Sequence, residues 1–311
     1  MKNKYRNIFL AFGIVAVLIM IFTFDMDYQE LWANLKRAGV YLPLVLLLWL
    51  FVYLINTTSW YIIIRSGGKP GFSFARLYKF TVTGFALNYV TPVGLMGGEP
   101  YRIMELKPYI GVERATSSVI LYVMMHIFSH FCFWLSSVLL YLCLYPVGWV
   151  MGTILGAVTV FCLLVAVLFV KGYQHGMAVA FVRLGSHLPF LKKKVIRFAD
   201  SHQEQLENID KQIALLHQQK KGAFYAALFL EYTARVVSCL EIWLILNVLT
   251  RSVSFADCCL IAAFSSLLAY LLFFLPMQLG GREGGFALAV GGLSLSGAYG
   301  AYAALITRVR E

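Results

Sequence analysis

The sequence predicts an all-α polytopic membrane protein made of two inverted units, each with a re-entrant broken-helix hairpin. Three observations predict it. Of 311 residues, 60% are hydrophobic and 13% charged, with a mean hydropathy of +0.75; a soluble domain is about half apolar and about a quarter charged. Apolar runs of about 20 residues, the length that crosses the hydrocarbon layer as helix, recur along the chain. Finally, two similar breaks interrupt those runs: PVGLMGGEPYR from position 92 and PMQLGGREGG from position 276. Each has a proline, a Gly-Gly pair and a glutamate seven residues after the proline (Glu99 and Glu283).

In chain order, residues 8–24 form the first span. The N-terminus mimics a signal peptide, but no small-residue cleavage site precedes Asp25-Met26-Asp27, so the span is expected to remain uncleaved. Residues 41–64 return. Residues 77–110 fail as a simple span, because they hold Pro92, Glu99, Arg102, Glu105, Lys107 and several glycines. Irregular backbone at membrane depth survives only where protein buries it or water reaches it. The segment is therefore expected to dip in as a helix, turn at Pro-Gly-Gly and climb back as a short helix. After the break PYIG a long helix begins near Val112 and crosses over 115–145, closing a first unit of residues 1–145.

The second unit, 146–311, repeats the order: a span at 147–170, a span at 223–249, a hairpin at about 255–297 around Pro276, and a last helix from near Ala298. Each unit has an odd number of crossings, so the second is inverted relative to the first. Inverted repeats whose broken helices meet at the midplane are the architecture of many transporters. The last helix is about 14 residues, roughly 21 Å. It is expected either to be truncated or to end with Arg308 and Arg310 in a watery cavity. Between the two spans of this unit lies an insert at about 171–222. Its SHQEQLENIDKQIALLHQQKK has a capping-box pattern (Ser201, Glu204) and apolar Leu206, Ile209, Ile213 and Leu216 at helical spacing, the marks of an amphipathic surface helix.

The net charge of +11 is concentrated at the N-terminus, around residues 65–79 and in the insert. The positive-inside bias makes these segments, and the N-terminus, cytoplasmic. Anionic lipid headgroups are the expected partners of such segments, and nucleic acid is not. The six cysteines have no paired spacing and read as small buried side chains rather than disulfides or zinc ligands.

Charged groups in lipid cost a few kcal/mol each, so Glu99, Arg102, Arg282 and Glu283 must pair or line a polar cavity. Glu–Arg pairing is one reading. The other is a site for a charged substrate, in which Gly97, Gly98, Gly280 and Gly281 let a ligand approach helix-terminal N–H groups, an arrangement that favours phosphate. The recurrence of the constellation favours the second. Asn88 and Thr91 stand where they can satisfy backbone groups freed by the break. Glu231 and Arg235, four apart, are expected to form an intrahelical pair. His126 and His130, also four apart, are expected to hydrogen-bond in the bundle or line the cavity, since no third metal ligand is placed near them. Asn56, Thr57, Thr58 and Ser59 are polar groups of the kind that join membrane helices. No Walker loop, GxSxG or HExxH motif is present, and no cofactor is implied.

The pattern Asn88, Pro92, Gly97-Gly98-Glu99-Pro100 and Arg102, followed by Pro276, Gly280-Gly281 and Glu283 and by Arg308 on the next helix, resembles the lysylphosphatidylglycerol synthase transmembrane family. The resemblance covers essentially the whole chain. It implies a flippase-like membrane region of the bacterial or archaeal cytoplasmic (inner) membrane, in stand-alone form without the aminoacyltransferase domain, so synthase activity is not expected. The function expected is translocation of a phospholipid or polyprenyl-phosphate lipid between leaflets. In it, Glu99 and Glu283 would meet a cationic headgroup or carry protons, and Arg102 and Arg282 would hold phosphate. The alternatives are a lipid-binding accessory protein without transport and a membrane-embedded lipid-phosphate enzyme. A homo-oligomer or a lipid-modifying enzyme is a further expected partner.

Overall fold

A computed structural model of the chain describes residue 39 and residues 41–90, 97–175, 221–249 and 253–271, with isolated positions between 203 and 211 and between 285 and 307. The expected first span at 8–24 lies outside the described residues, as do Thr91, Pro92, Pro276, Gly280, Gly281, Arg282, Glu283 and Arg308. So do the insert and the last helix, apart from isolated helical positions.

Among the described residues the chain is helical and has no strand. The principal helices are α1 (Tyr41–Ser66), α2 (Phe74–Val90), α3 (Gly98–Ile110), α4 (Val112–Leu144), α5 (Trp149–His175), α6 (Lys221–Leu249) and α7 (Phe255–Leu271). Three stretches are long and apolar enough to cross a membrane: Pro43–Ser66, Val112–Leu144 and Trp149–Phe169. This is a multi-pass membrane protein. α6, also expected to span, has the length at 29 residues but carries Glu231, Arg235 and Glu241. Packing accounts for them: α6 lies against α1, α4 and α7, and Glu231 and Glu241 are buried. α5, by contrast, lies at the rim and turns Val150, Val160, Leu163 and Leu168 outward. It is tied to α4 by the Phe128–Phe169 stack at 4.2 Å.

α1 and α6 run antiparallel. Ser59 donates to the Ala227 carbonyl at 3.1 Å and Asn56 reaches Glu231 at 2.9 Å, while Val45, near the other end of α1, shares a cluster with Ile242, Ile245 and Leu246. Phe286, Val290, Ala303 and Ile306 join that same cluster. α2 and α3 pack instead around Trp60, Ile63 and Ile64 in the second half of α1. Thr57 and Thr58, expected to join helices, bond carbonyls of their own helix; Asn56 and Ser59 do the joining.

α2 and α3 form an antiparallel hairpin. Phe80 meets Tyr101 edge-on, Arg102 reaches the Thr81 carbonyl, and Asn88 bonds both Gly98 and Glu99. The 13 residues of α3 make about 20 Å of helix, short of the roughly 30 Å hydrocarbon core. α3 opens with Pro100 in its first turn, where no intrahelical N–H is needed. Glu99 near its start and Lys107 near its end both suit the helix dipole. It stops at Gly111, whose φ of 81° costs a residue without a Cβ little, and α4 starts at Val112 as the sequence predicts. Arg114 donates Nη2 to the Ile64 and Gly68 carbonyls. It thereby caps α1 and fastens the start of α4 to it.

Candidate functional site

The first Gly-Gly-Glu motif closes the α2–α3 hairpin by direct contact. A Cβ placed on Gly98 would stand 2.1 Å from the Gly84 carbonyl oxygen and 2.9 Å from Asn88 Oδ1, so the two backbones touch there. Asn88, predicted to serve backbone freed by the break, does so: its Oδ1 accepts from the Gly98 N–H at 2.6 Å. Its amide then donates to Glu99 Oε1 at 3.0 Å. Arg102, one turn along α3, donates Nη1 to the same oxygen at 3.3 Å, and Nη2 lies 3.5 Å from the Thr81 carbonyl.

Arg102 is 1% exposed and Glu99 24%. The guanidinium sits over Phe85 (4.7 Å to the ring centroid), Tyr122 (5.3 Å) and Trp60 (5.7 Å). These rings come from α2, α4 and α1, and their faces attract a cation held away from water. Gly84 makes the space: a Cβ there would be 2.4 Å from Arg102 Nε. The carboxylate is less enclosed, yet its Oε2 is a buried atom without a hydrogen-bond partner among the described residues, as is Arg102 Nε. Both readings of the motif charges therefore have a footing here. Glu99 and Arg102 are paired, and each keeps a polar atom unspent.

A second polar cluster lies beside Tyr122. Glu231 Oε2 accepts from Asn56 Nδ2 at 2.9 Å and lies 2.8 Å from His126 Nδ1. The His126 and Tyr122 rings are 6.3 Å apart. The expected Glu231–Arg235 pair does not form among the described contacts. Both side chains face neighbouring helices, and the partners there displace the one four residues away: Arg235 Nε points to Ser129 Oγ on α4 at 3.4 Å. His130 packs against Tyr270 of α7, ring centres 4.4 Å apart. Among the described residues no three His, Cys, Asp or Glu side chains are grouped as a metal site.

Of the predicted site residues, the structure brings together Asn88, Gly97, Gly98, Glu99 and Arg102; Pro92, Pro276, Gly280, Gly281, Arg282, Glu283 and Arg308 lie outside the described residues. Sequence reasoning missed Gly84, the three rings around Arg102, and the joining of Asn56, His126 and Glu231. A glycine inside a helix as aromatic as α2 was the available signal for the first; the others have no local signature.

No curated protein and no solved structure matches this chain. Residues 8–311 match the family described as the lysylphosphatidylglycerol synthase TM region, which spans the Gly-Gly-Glu hairpin and the bundle that encloses it. A match over essentially the whole length, on a helical membrane bundle built around that motif, means that the chain belongs to the lysylphosphatidylglycerol synthase TM region family.

Proposed function

We propose that this protein moves a phospholipid or polyprenyl-phosphate lipid between the leaflets of a bacterial or archaeal cytoplasmic membrane, with its N-terminus on the cytoplasmic side. The observation that carries the reading is the Asn88–Glu99–Arg102 network, a charge pair held at a helix break inside a membrane bundle. A zwitterionic headgroup can replace that pair charge for charge. Its phosphate takes the guanidinium and its cation takes the carboxylate, so no bare charge is left in a medium where one costs several kcal/mol. A lipid phosphate alone takes Arg102 as Glu99 turns to solvent.

The inverted arrangement belongs to the same proposal. α1 and α6, corresponding second spans of the two units, cross antiparallel. Phe286, Val290, Ala303 and Ile306 pack toward the opposite end of α1 from α2 and α3. Both features support two hairpins entering from opposite sides, with Arg282, Glu283 and Arg308 completing the headgroup site from the far side. No synthase chemistry is assigned to it.

Reconstitution tests this. Purified protein in vesicles should speed the appearance of labelled phospholipid or polyprenyl phosphate in the outer leaflet. Glu99→Gln should stay folded and lose that activity. Saturable lipid binding with no movement between leaflets, for every lipid tried, would support an accessory protein and sink the translocase reading.

A further inference from the structure

The Glu231–His126–Asn56 cluster has no part in the headgroup exchange just described. We propose that His126 and Glu231 form a proton-binding site inside the bundle, which takes one proton from water over the exposed side of the imidazole and returns it there.

Three features point to it. First, Nδ1 and Oε2 are 2.8 Å apart, which requires one proton between them, whichever atom carries it. Second, the carboxylate is 0% exposed while the imidazole keeps 28%, so a buried acid is joined to a ring that is open on one side. Third, the acid is under-satisfied. Both donors fall on Oε2, leaving Oε1 buried with no hydrogen-bond partner among the described residues. The Tyr122 hydroxyl, one turn before His126, is buried in the same condition. Leaving such groups unmet costs about 1–3 kcal/mol each, more for a charged one. A proton on Oε1, or a water carrying one, relieves that cost.

The surroundings suit an exchangeable charge. Glu231 lies within Coulombic range of Tyr122 on α4 and Arg235 on its own helix. Tyr122 in turn feels Glu99 and Arg102 on α3 and Tyr53 on α1. Beside His126 on α4 is His130, within Coulombic range of Arg235, and Arg235 is within the same range of Tyr89 of α2 and Tyr270 of α7. Among these groups the fixed charges are Glu99, Glu231, Arg102 and Arg235, two of each sign. With the histidines neutral the cluster sums to zero, and one added proton gives a single positive charge opposite an incoming phosphate. The proton is bound and released without any electron changing hands. That last coupling rests on the translocase reading; the proton site does not.

Infrared difference spectra between acidic and alkaline pH, recorded on the purified chain in lipid, test the site without any transport assay. Of the carboxylic C=O bands that come and go with pH, one should be missing in Glu231→Gln. His126→Asn keeps a donor near Oε2 but cannot titrate, and should shift the band's pH midpoint. A Glu231→Gln spectrum that lacks none of the wild-type bands overturns the proposal, as does a Glu231 band that ignores His126→Asn. Should Glu231→Gln fail to fold, the His126→Asn spectrum decides alone. In vesicles, either variant should flatten the pH dependence of lipid movement. Wild-type protein that moves no lipid would remove the coupling and the translocase reading while leaving the spectral result standing.

Discussion

Replacing Gly98 by alanine should unseat the hairpin. The new Cβ would lie 2.1 Å from the Gly84 oxygen and 2.8 Å from its carbonyl carbon. Both are backbone atoms in the middle of α2, so no side chain can swing aside. Relief requires α2 and α3 to separate by about 1 Å, and overpacking of this kind costs about 1–3 kcal/mol. The same movement stretches the Asn88 bonds to Gly98 and Glu99, now 2.6 and 3.0 Å, at about 1 kcal/mol each. The expected loss is about 3–5 kcal/mol. Gly84→Ala meets the Arg102 side chain instead; that chain can bend, so stability should fall less while the Glu99 pair is disturbed. Gly156→Ala on α5 meets nothing within 4 Å and removes a helix-interior glycine, worth about 0.5–1 kcal/mol in its favour. Thermal unfolding of the three variants in one detergent, with gel filtration as a check on monodispersity, should rank them Gly156→Ala, Gly84→Ala, Gly98→Ala. A Gly98→Ala protein that melts with the wild type would refute the close approach of the two helices.

Asn88→Asp should be more damaging at neutral pH than in acid, because the new carboxylate still accepts from Gly98 but faces Glu99 where an amide donated; melting curves at two pH values would show it. Tyr145, just past the end of α4, donates to Asp257 Oδ1 at 2.6 Å, and that bond pushes its hydroxyl up to about 12. The folded state thus favours the neutral phenol. The contribution is present below the unfolded value of about 10 and is lost as pH rises through 12. Tyr145→Phe should melt slightly below wild type at neutral pH, with the gap closing in alkali. Single cysteines at Lys69 and Trp149 should react with impermeant reagent from opposite faces, Lys69 from the cytoplasm; labelling from one face would refute the orientation.

What the sequence made legible was local. Proline and glycine mark backbone directly, so the break before Gly98 and the turn at Gly111 could be read with their neighbours, and Asn88 was assigned to freed backbone on its position alone. The charges were legible as charges in need of partners. Their partners were not, because contacts between helices carry no period. Asn56 and Glu231 are separated by 175 residues, and each stands in a helix whose polar groups could equally have met a neighbour on the same helix. The expected Glu231–Arg235 pair failed for that reason. Trp60, Phe85 and Tyr122 carry no local sign that they enclose a guanidinium.

The way these polar groups are shared between helices bears on the order in which the chain can enter a membrane. Arg102 is covered by rings from α1, α2 and α4, so its enclosure is complete only once α4 has been made. Glu231 is the reverse case. Its partners Asn56 and His126 are synthesised first and are already in place when α6 emerges. A carboxylate at the centre of a lone helix opposes insertion by about 2.5–3.5 kcal/mol, and here it is met on arrival by a waiting amide and imidazole. Moving Asn56 to a later helix would leave every contact drawn on paper and remove the receptor from the moment it is needed.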